Sequence, residues 1–148
     1  MTSRPLPRPT ELSAGFWEAA RRHELVLQQC RACDEFRHYP QPLCPHCFSS
    51  EWVWTPARGR GHVYTFTETH QAFHPAWAGA TPYVLATIEL DEGVRVLSDL
   101  PDSDREAVRI GAEVEVFFDN PPGTDITLPR FRLVRNGVDQ PPPGGARP

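Results

Sequence analysis

Four cysteines carry the plainest chemistry in the chain: Cys30-Arg31-Ala32-Cys33 and Cys44-Pro45-His46-Cys47 form two Cys-x-x-Cys pairs with ten residues between them. Two tight turns of this kind can present four sulfurs tetrahedrally, the arrangement that zinc takes in zinc ribbons. Iron in a rubredoxin-like site asks for the same ligands, so the spacing leaves both metals open. One pair alone would suit a redox dithiol, but two pairs at ribbon spacing, without a thioredoxin-like βαβ pattern, argue against that. Four thiolates close the coordination sphere and leave no position for water or substrate, so the expected metal is structural. His46, inside the second pair, is expected in solvent or beside the cluster.

The other candidates for chemistry are weaker. His70-Gln71-Ala72-Phe73-His74 brings two histidines to a predicted strand-to-strand loop, and unsupported loop histidines are expected to be exposed side chains. The sequence has no Gly-rich phosphate loop, no Gly-x-Ser-x-Gly elbow and no His-Glu-x-x-His. With the cysteines committed to metal, no persuasive nucleophile is left.

The cysteines must be held by short elements. Glu11 to Arg22 reads as a helix, with Thr10 or Ser13 as N-cap and Leu12, Phe16, Ala19 and Ala20 on one face. Leu25 to Gln29 is a strand candidate leading into Cys30, and Trp52-Val53-Trp54 is another after Cys47. From Gly61 onward strand-like runs repeat at 62–70, 83–90, 94–100, 113–119 and 130–134. Asp91-Glu92-Gly93 marks a hairpin, 101–108 a short helical link, and Asn120-Pro121-Pro122-Gly123 a firm stop. Five short strands interrupted once between the third and fourth suit a Greek-key barrel of the OB type, although strand count alone does not separate it from other small barrels. The expected architecture is therefore mainly β: an N-terminal helix, a zinc ribbon and a five-stranded OB-fold barrel. The expected boundaries are a flexible tail at 1–10, helix plus ribbon at 11–56, barrel at 57–136 and a flexible Pro/Gly-rich tail at 137–148.

Composition narrows the function classes. The chain has 148 residues, enough for one ordinary domain or two small modules with a common interface. Its net charge is −4 and all 15 basic residues are arginine, so it lacks the basic run that neutralises phosphates. Aromatic residues such as Tyr64, Phe66 and Phe117 could stack on bases in an OB fold, but Glu89, Asp91 and Glu92 against Arg95 would repel a polyanion as readily as attract one. A nucleic-acid-binding OB protein is thus the lesser expectation. No apolar run is long enough to cross a bilayer and residues 1–7 lack the apolar segment of a secretory signal, so a cytoplasmic location is expected.

Taken in order, Phe16-Trp17-Glu18-Ala19-Ala20, the two cysteine pairs with Pro40 between them, Trp52, Gly61-His62-Val63-Tyr64-Thr65-Phe66-Thr67, Pro82-Tyr83-Val84, Glu89 to Gly93 and Ile110 to Val116 resemble the zinc-ribbon plus OB-fold proteins associated with acyl-CoA enzymes. The resemblance runs from about Thr10 to Val134. It implies a non-catalytic accessory subunit that binds a thiolase-superfamily enzyme, acting in ketone, polyketide or steroid side-chain acyl-CoA chemistry, and that helps form the CoA-ester site. A MaoC-like (hot-dog-fold) enoyl-CoA hydratase is the alternative partner. It further implies a two-plus-two heterotetramer and acyl-CoA near the interface. In that setting Phe16 and Trp17 are docking candidates, and His70, Phe73, His74 and Trp77 are candidates for the wall of a substrate channel.

Overall fold

The computed structural model describes residues 4–135; the C-terminal stretch expected as a tail lies outside the described residues. Residues 4–10 form neither helix nor strand, and Arg4 lies over the Trp77 ring at 4.2 Å. Helix α1 spans Ala14–Arg21, three residues shorter at its start than expected because Glu11–Ser13 form a turn first. Ser13 is the N-cap residue, but its hydroxyl meets Thr10 instead of capping the helix. Phe16, Ala19 and Ala20 form the buried stripe. At the other end His23 takes the left-handed conformation (φ 59°), with Glu24 N–H donating to the Ala19 carbonyl (3.0 Å) and His23 N–H to that of Ala20 (2.9 Å), a Schellman closure. Glycine is usual there; His23 instead stacks its ring on Phe118 at 5.1 Å and ties the helix end to the barrel.

Three strands follow as one sheet: β1 (Val26–Cys30) lies between β2 (Phe36–Arg37) and β3 (Trp52–Pro56), all antiparallel. The two-residue β2 has no pattern of its own; the turn after Cys33 delivers it against β1. Trp54 of β3 packs against α1, where a Cβ at Gly15 would run into its indole ring.

The second sheet contains β4 (Arg60–Thr69), β5 (Tyr83–Leu90), β6 (Arg95–Asp99), β7 (Glu113–Asp119) and β8 (Leu128–Leu133), in the order β6-β5-β4-β7-β8. All five expected strands are present within two residues at each end. β5 alternates strictly, burying Val84, Ala86, Ile88 and Leu90, as a strand with one face inward should. β4 is the longest strand: it bulges between Val63 and Thr65 and pairs with β5 along its length and with β7 at its start. The sheet nearly closes where β6 meets β8. There Phe131 N–H donates to Ser98 Oγ (3.1 Å), and Arg130 donates to both oxygens of Asp99 (2.9 and 2.7 Å) and to Asp119 (3.0 Å). Closure of the third strand on the fifth, with the first between second and fourth, is the OB arrangement, so the sequence expectation of a helix, ribbon and five-stranded barrel holds.

One buried cluster runs through both sheets, from Phe16, Leu25 and Leu27 to Val63, Ile88, Val114 and Phe131. Polar ties cross at its margin: Ala57 N–H to the Leu25 carbonyl (2.8 Å), Arg21 to Asp125 (2.9 Å), and Leu97 N–H to the Tyr39 hydroxyl (3.1 Å).

At Gly61 a Cβ would strike the carbonyl of Glu89 on the paired strand. Backbone cannot swing aside as a side chain does, so Gly61→Ala should cost about 1–3 kcal/mol. The check is a urea titration, in which the midpoint falls while the slope stays constant.

Candidate metal centre

Each cysteine pair is a turn built to the same plan. Cys30 closes β1; its N–H donates to the Glu35 carbonyl (2.9 Å) and its carbonyl accepts from Asp34 N–H (3.1 Å). Cys44 repeats this with Ser49 (2.9 Å) and Phe48 (2.9 Å). In both turns the residue after the second cysteine is left-handed, Asp34 at φ 59° and Phe48 at φ 61°. Asp tolerates that region, whereas a bulky Phe is strained in it. Phe48 is also 76% exposed, so its ring gains nothing from this fold in return. The sequence reading missed it; the signal available was a Phe at the one knuckle position that calls for Gly, Asn or Asp.

The turns converge their sulfurs. Cys30 Sγ lies 3.6 Å from Cys47 Sγ, Cys33 Sγ 3.7 Å from Cys44 Sγ, and all four ligand atoms lie within 4.8 Å of one another. A zinc–sulfur bond of about 2.3 Å gives a tetrahedral edge of about 3.8 Å, far longer than a disulfide of about 2.05 Å. Cys30 and Cys44 are buried, Cys33 is half-buried and Cys47 exposed.

The electrostatics call for a cation. Burial pushes the Cys30 thiol up, but backbone N–H groups of Ala32 and Cys33 and the neighbouring sulfurs outweigh it, bringing it from 9.0 down to about 6. At Cys33 the backbone N–H of Glu35 pulls down, yet burial and the other three sulfurs prevail and push it up to about 12. Four sulfurs this close do not all ionise unaided, and a bound dication removes that obstacle. The donor set fits zinc in a structural role: Cys30, Cys33, Cys44 and Cys47 would hold it, and the metal would cross-link two turns that have little core of their own.

The remaining candidates are dispersed. Phe16 is 8% exposed and lies in the core, edge-on to Trp17 at 5.0 Å, so it leaves little surface for a partner. Trp17 is half-buried at the rim of that core. Trp77, in a 3-10 turn spanning Pro75–Trp77, packs against Tyr83 at 5.0 Å and lines two clefts of about 520 and 590 Å³ that share Arg4, Asp99 and Arg130. His70, Phe73 and His74 line neither. His70 pairs with Glu68 at 2.9 Å, His74 Nδ1 accepts from Ala76 N–H (3.1 Å), and Phe73 is 78% exposed.

His38, next to β2, packs its ring 5.5 Å from that of Phe16 and 4.1 Å from that of Tyr39. Burial there lowers its pKa from 6.5 to about 4.

Two family models match the chain: residues 17–53 fit the one described as ChsH2, rubredoxin-like zinc ribbon domain, and residues 54–119 the one described as ChsH2, C-terminal OB-fold domain. A DUF35 domain-containing scaffold protein of Methanocaldococcus jannaschii is 34% identical over 66% of this chain and 69% of its own length. A probable enoyl-CoA hydratase alpha subunit of Thermomonospora curvata is 39% identical over 87% of this chain and 40% of its own. The chain therefore spans about two-fifths of the length of the curated hydratase subunits it matches. Among solved structures, a chain of the Ltp2-ChsH2(DUF35) aldolase superposes with a TM-score of 0.76 at 38% identity, covering 86% of this chain and 98% of that one.

Two outcomes follow from the geometry. Elemental analysis should find one zinc per chain, and Cys44→Ser should lose stoichiometric metal together with much of the stabilisation, on the order of 10 kcal/mol, that such binding supplies. Separately, His38 is neutral in the fold, so its contribution is fully present above pH 6.5 and is lost as the unfolded chain takes up a proton between pH 6.5 and about 4. That loss is at most about 3 kcal/mol. Urea stabilities at pH 7 and pH 4.5 should show a steeper decline for the wild type than for His38→Phe; equal declines would remove His38 from the account.

Proposed function

Because the chain belongs to the ChsH2 (DUF35) family of zinc-ribbon plus OB-fold proteins, we propose that it is a non-catalytic accessory subunit of a larger acyl-CoA enzyme, with Cys30, Cys33, Cys44 and Cys47 as the ligands of its structural zinc. The observation that carries this reading is the near-complete match to a chain of the Ltp2-ChsH2(DUF35) aldolase, joined to a metal centre whose coordination is closed. A thiolase-superfamily enzyme performing carbon–carbon cleavage or acyl transfer on a CoA ester, with steroid side-chain esters among the candidates, is the partner it fits. The assembly is two copies of each subunit.

The ribbon is the docking module in this proposal. Zinc fixes the two turns, and the second turn presents Phe48 in a strained, solvent-facing position that a partner's pocket would reward. Trp17 extends the same role from the helix rim. Trp77 and the clefts beside it border the CoA-ester site, with His70, Phe73 and His74 further out on the same loop. An enoyl-CoA hydratase is the second candidate partner, favoured by the 39% identity to a hydratase alpha subunit.

Native mass spectrometry of the chain expressed with the acyl-CoA enzyme encoded beside it tests the proposal. A two-plus-two complex carrying one zinc per copy of this chain supports it, while a zinc-loaded chain that stays alone overturns it. Within such a complex, Phe48→Gly and Trp17→Ala should each weaken association by roughly 10–100-fold, the range of interface anchor residues, with zinc retained. Unchanged affinity in both variants would place the docking face elsewhere.

A further inference from the structure

Arg37, on β2, is the one buried arginine among the described residues, at 4% exposure. Its Nε donates to Gln28 Oε1 (2.8 Å) and its Nη2 to the Gln41 carbonyl (3.0 Å). Gln28 Oε1 also accepts the Gln41 N–H (2.8 Å), which fixes the amide's orientation. Both acceptors are therefore neutral. Nη1 is buried without a hydrogen-bond partner, and among the described residues no carboxylate lies within ion-pair distance of Arg37. Seven other arginines each have one.

A guanidinium does not shed its proton, so it remains charged when withdrawn from water and needs a negative partner. Strand register points to a candidate. Arg37 stands directly opposite Gln28 on β1, and Cys30 is two residues further along the same face. That diagonal separation is about 7–8 Å between backbones, within reach of a long side chain. Zinc held by the four thiolates would leave the centre two units negative, and Cys30, one of its ligands, closes that end of β1.

We propose that Arg37 is the buried counter-charge of the four-sulfur zinc centre, a positioning residue held by Gln28 and Gln41 that offsets the net negative charge of the cluster. The inference rests on the zinc reading above. It accounts for a charged residue that has no carboxylate and for a glutamine, 1% exposed, whose oxygen accepts from both Arg37 and the Gln41 backbone. It also gives β2 a task, because two residues of strand are enough to bring this one side chain beside β1.

The test separates charge from shape. Zinc affinity of the full-length chain is measured by competition with a chelating dye for the wild type, Arg37→Lys and Arg37→Gln, with metal content determined by elemental analysis. Lysine keeps the charge and loses the planar fork; glutamine removes the charge and keeps a polar amide. The expected result is an affinity within about 3-fold of wild type for Arg37→Lys and a loss of roughly 10–100-fold for Arg37→Gln, the range for residues supporting metal ligands. Equal losses in both variants, or none in either, would overturn the proposal. Should Arg37→Gln fail to fold, a loss beyond 10-fold in Arg37→Lys would still do so. A wild-type chain that binds no zinc overturns the zinc reading and this inference with it, an outcome distinct from zinc binding that is indifferent to Arg37.

Discussion

Four sulfurs held about an ångström and a half beyond disulfide distance are the constraint from which the first third of the molecule follows. At such spacing thiolates repel, and the split between Cys30 and Cys33 expresses that repulsion within the protein. A dication turns the repulsion into a cross-link. Everything between Cys30 and Cys47 is then either turn or connection, and the only strand there, β2, is two residues long. A segment so poor in apolar side chains cannot offset its own chain entropy by burial; metal binding is the term that does so.

The barrel reaches its fold by the opposite route. Alternation along β5, the bulge in β4 and the glycine at position 61 let a short sheet curl until Ser98, Asp99 and Arg130 join its margins. The hydrophobic cluster extends without a break from α1 through β1 into the barrel, so the metal-bound and barrel halves stabilise each other. His23 and Tyr39 illustrate the cost of that continuity. One occupies a glycine conformation to stack on Phe118, and the other's hydroxyl accepts the Leu97 N–H of β6.

Much of this could be read in advance because it depends on local spacing. The cysteine pairs, the period-two strands, the hairpin at Gly93 and the stop at Pro121 are patterns a few residues long, and each is where the sequence placed it. What escaped depends on register between distant segments. Nothing near Arg37 announces a buried charge; its burial follows from the pairing of β2 with β1, which the first cysteine turn sets. The apolar stripe of α1 was plain, Phe16 within it included, but that Trp54 would pack so close to Gly15 that a Cβ there would meet its ring was not. The loop from His70 to Trp77 shows the same limit. Four residues close in sequence diverge in space, and only Trp77 turns toward a cleft.

The proposed accessory role agrees with where strain and closure lie. Catalytic metals keep an open coordination position, and catalytic side chains are gathered so that their environments push their titrations apart. Among the described residues, the strongest shifts fall on the metal-binding cysteines and on His38, which is packed between rings. The first setting is closed by its own ligands, and in the second His38 is half-buried against the rings of Phe16 and Tyr39. The unrewarded features lie instead on the outside. Phe48 holds a backbone conformation that aromatic residues avoid and exposes its ring to water, so the isolated chain bears two costs there with no return. A fold carries such a residue most readily if another surface completes it.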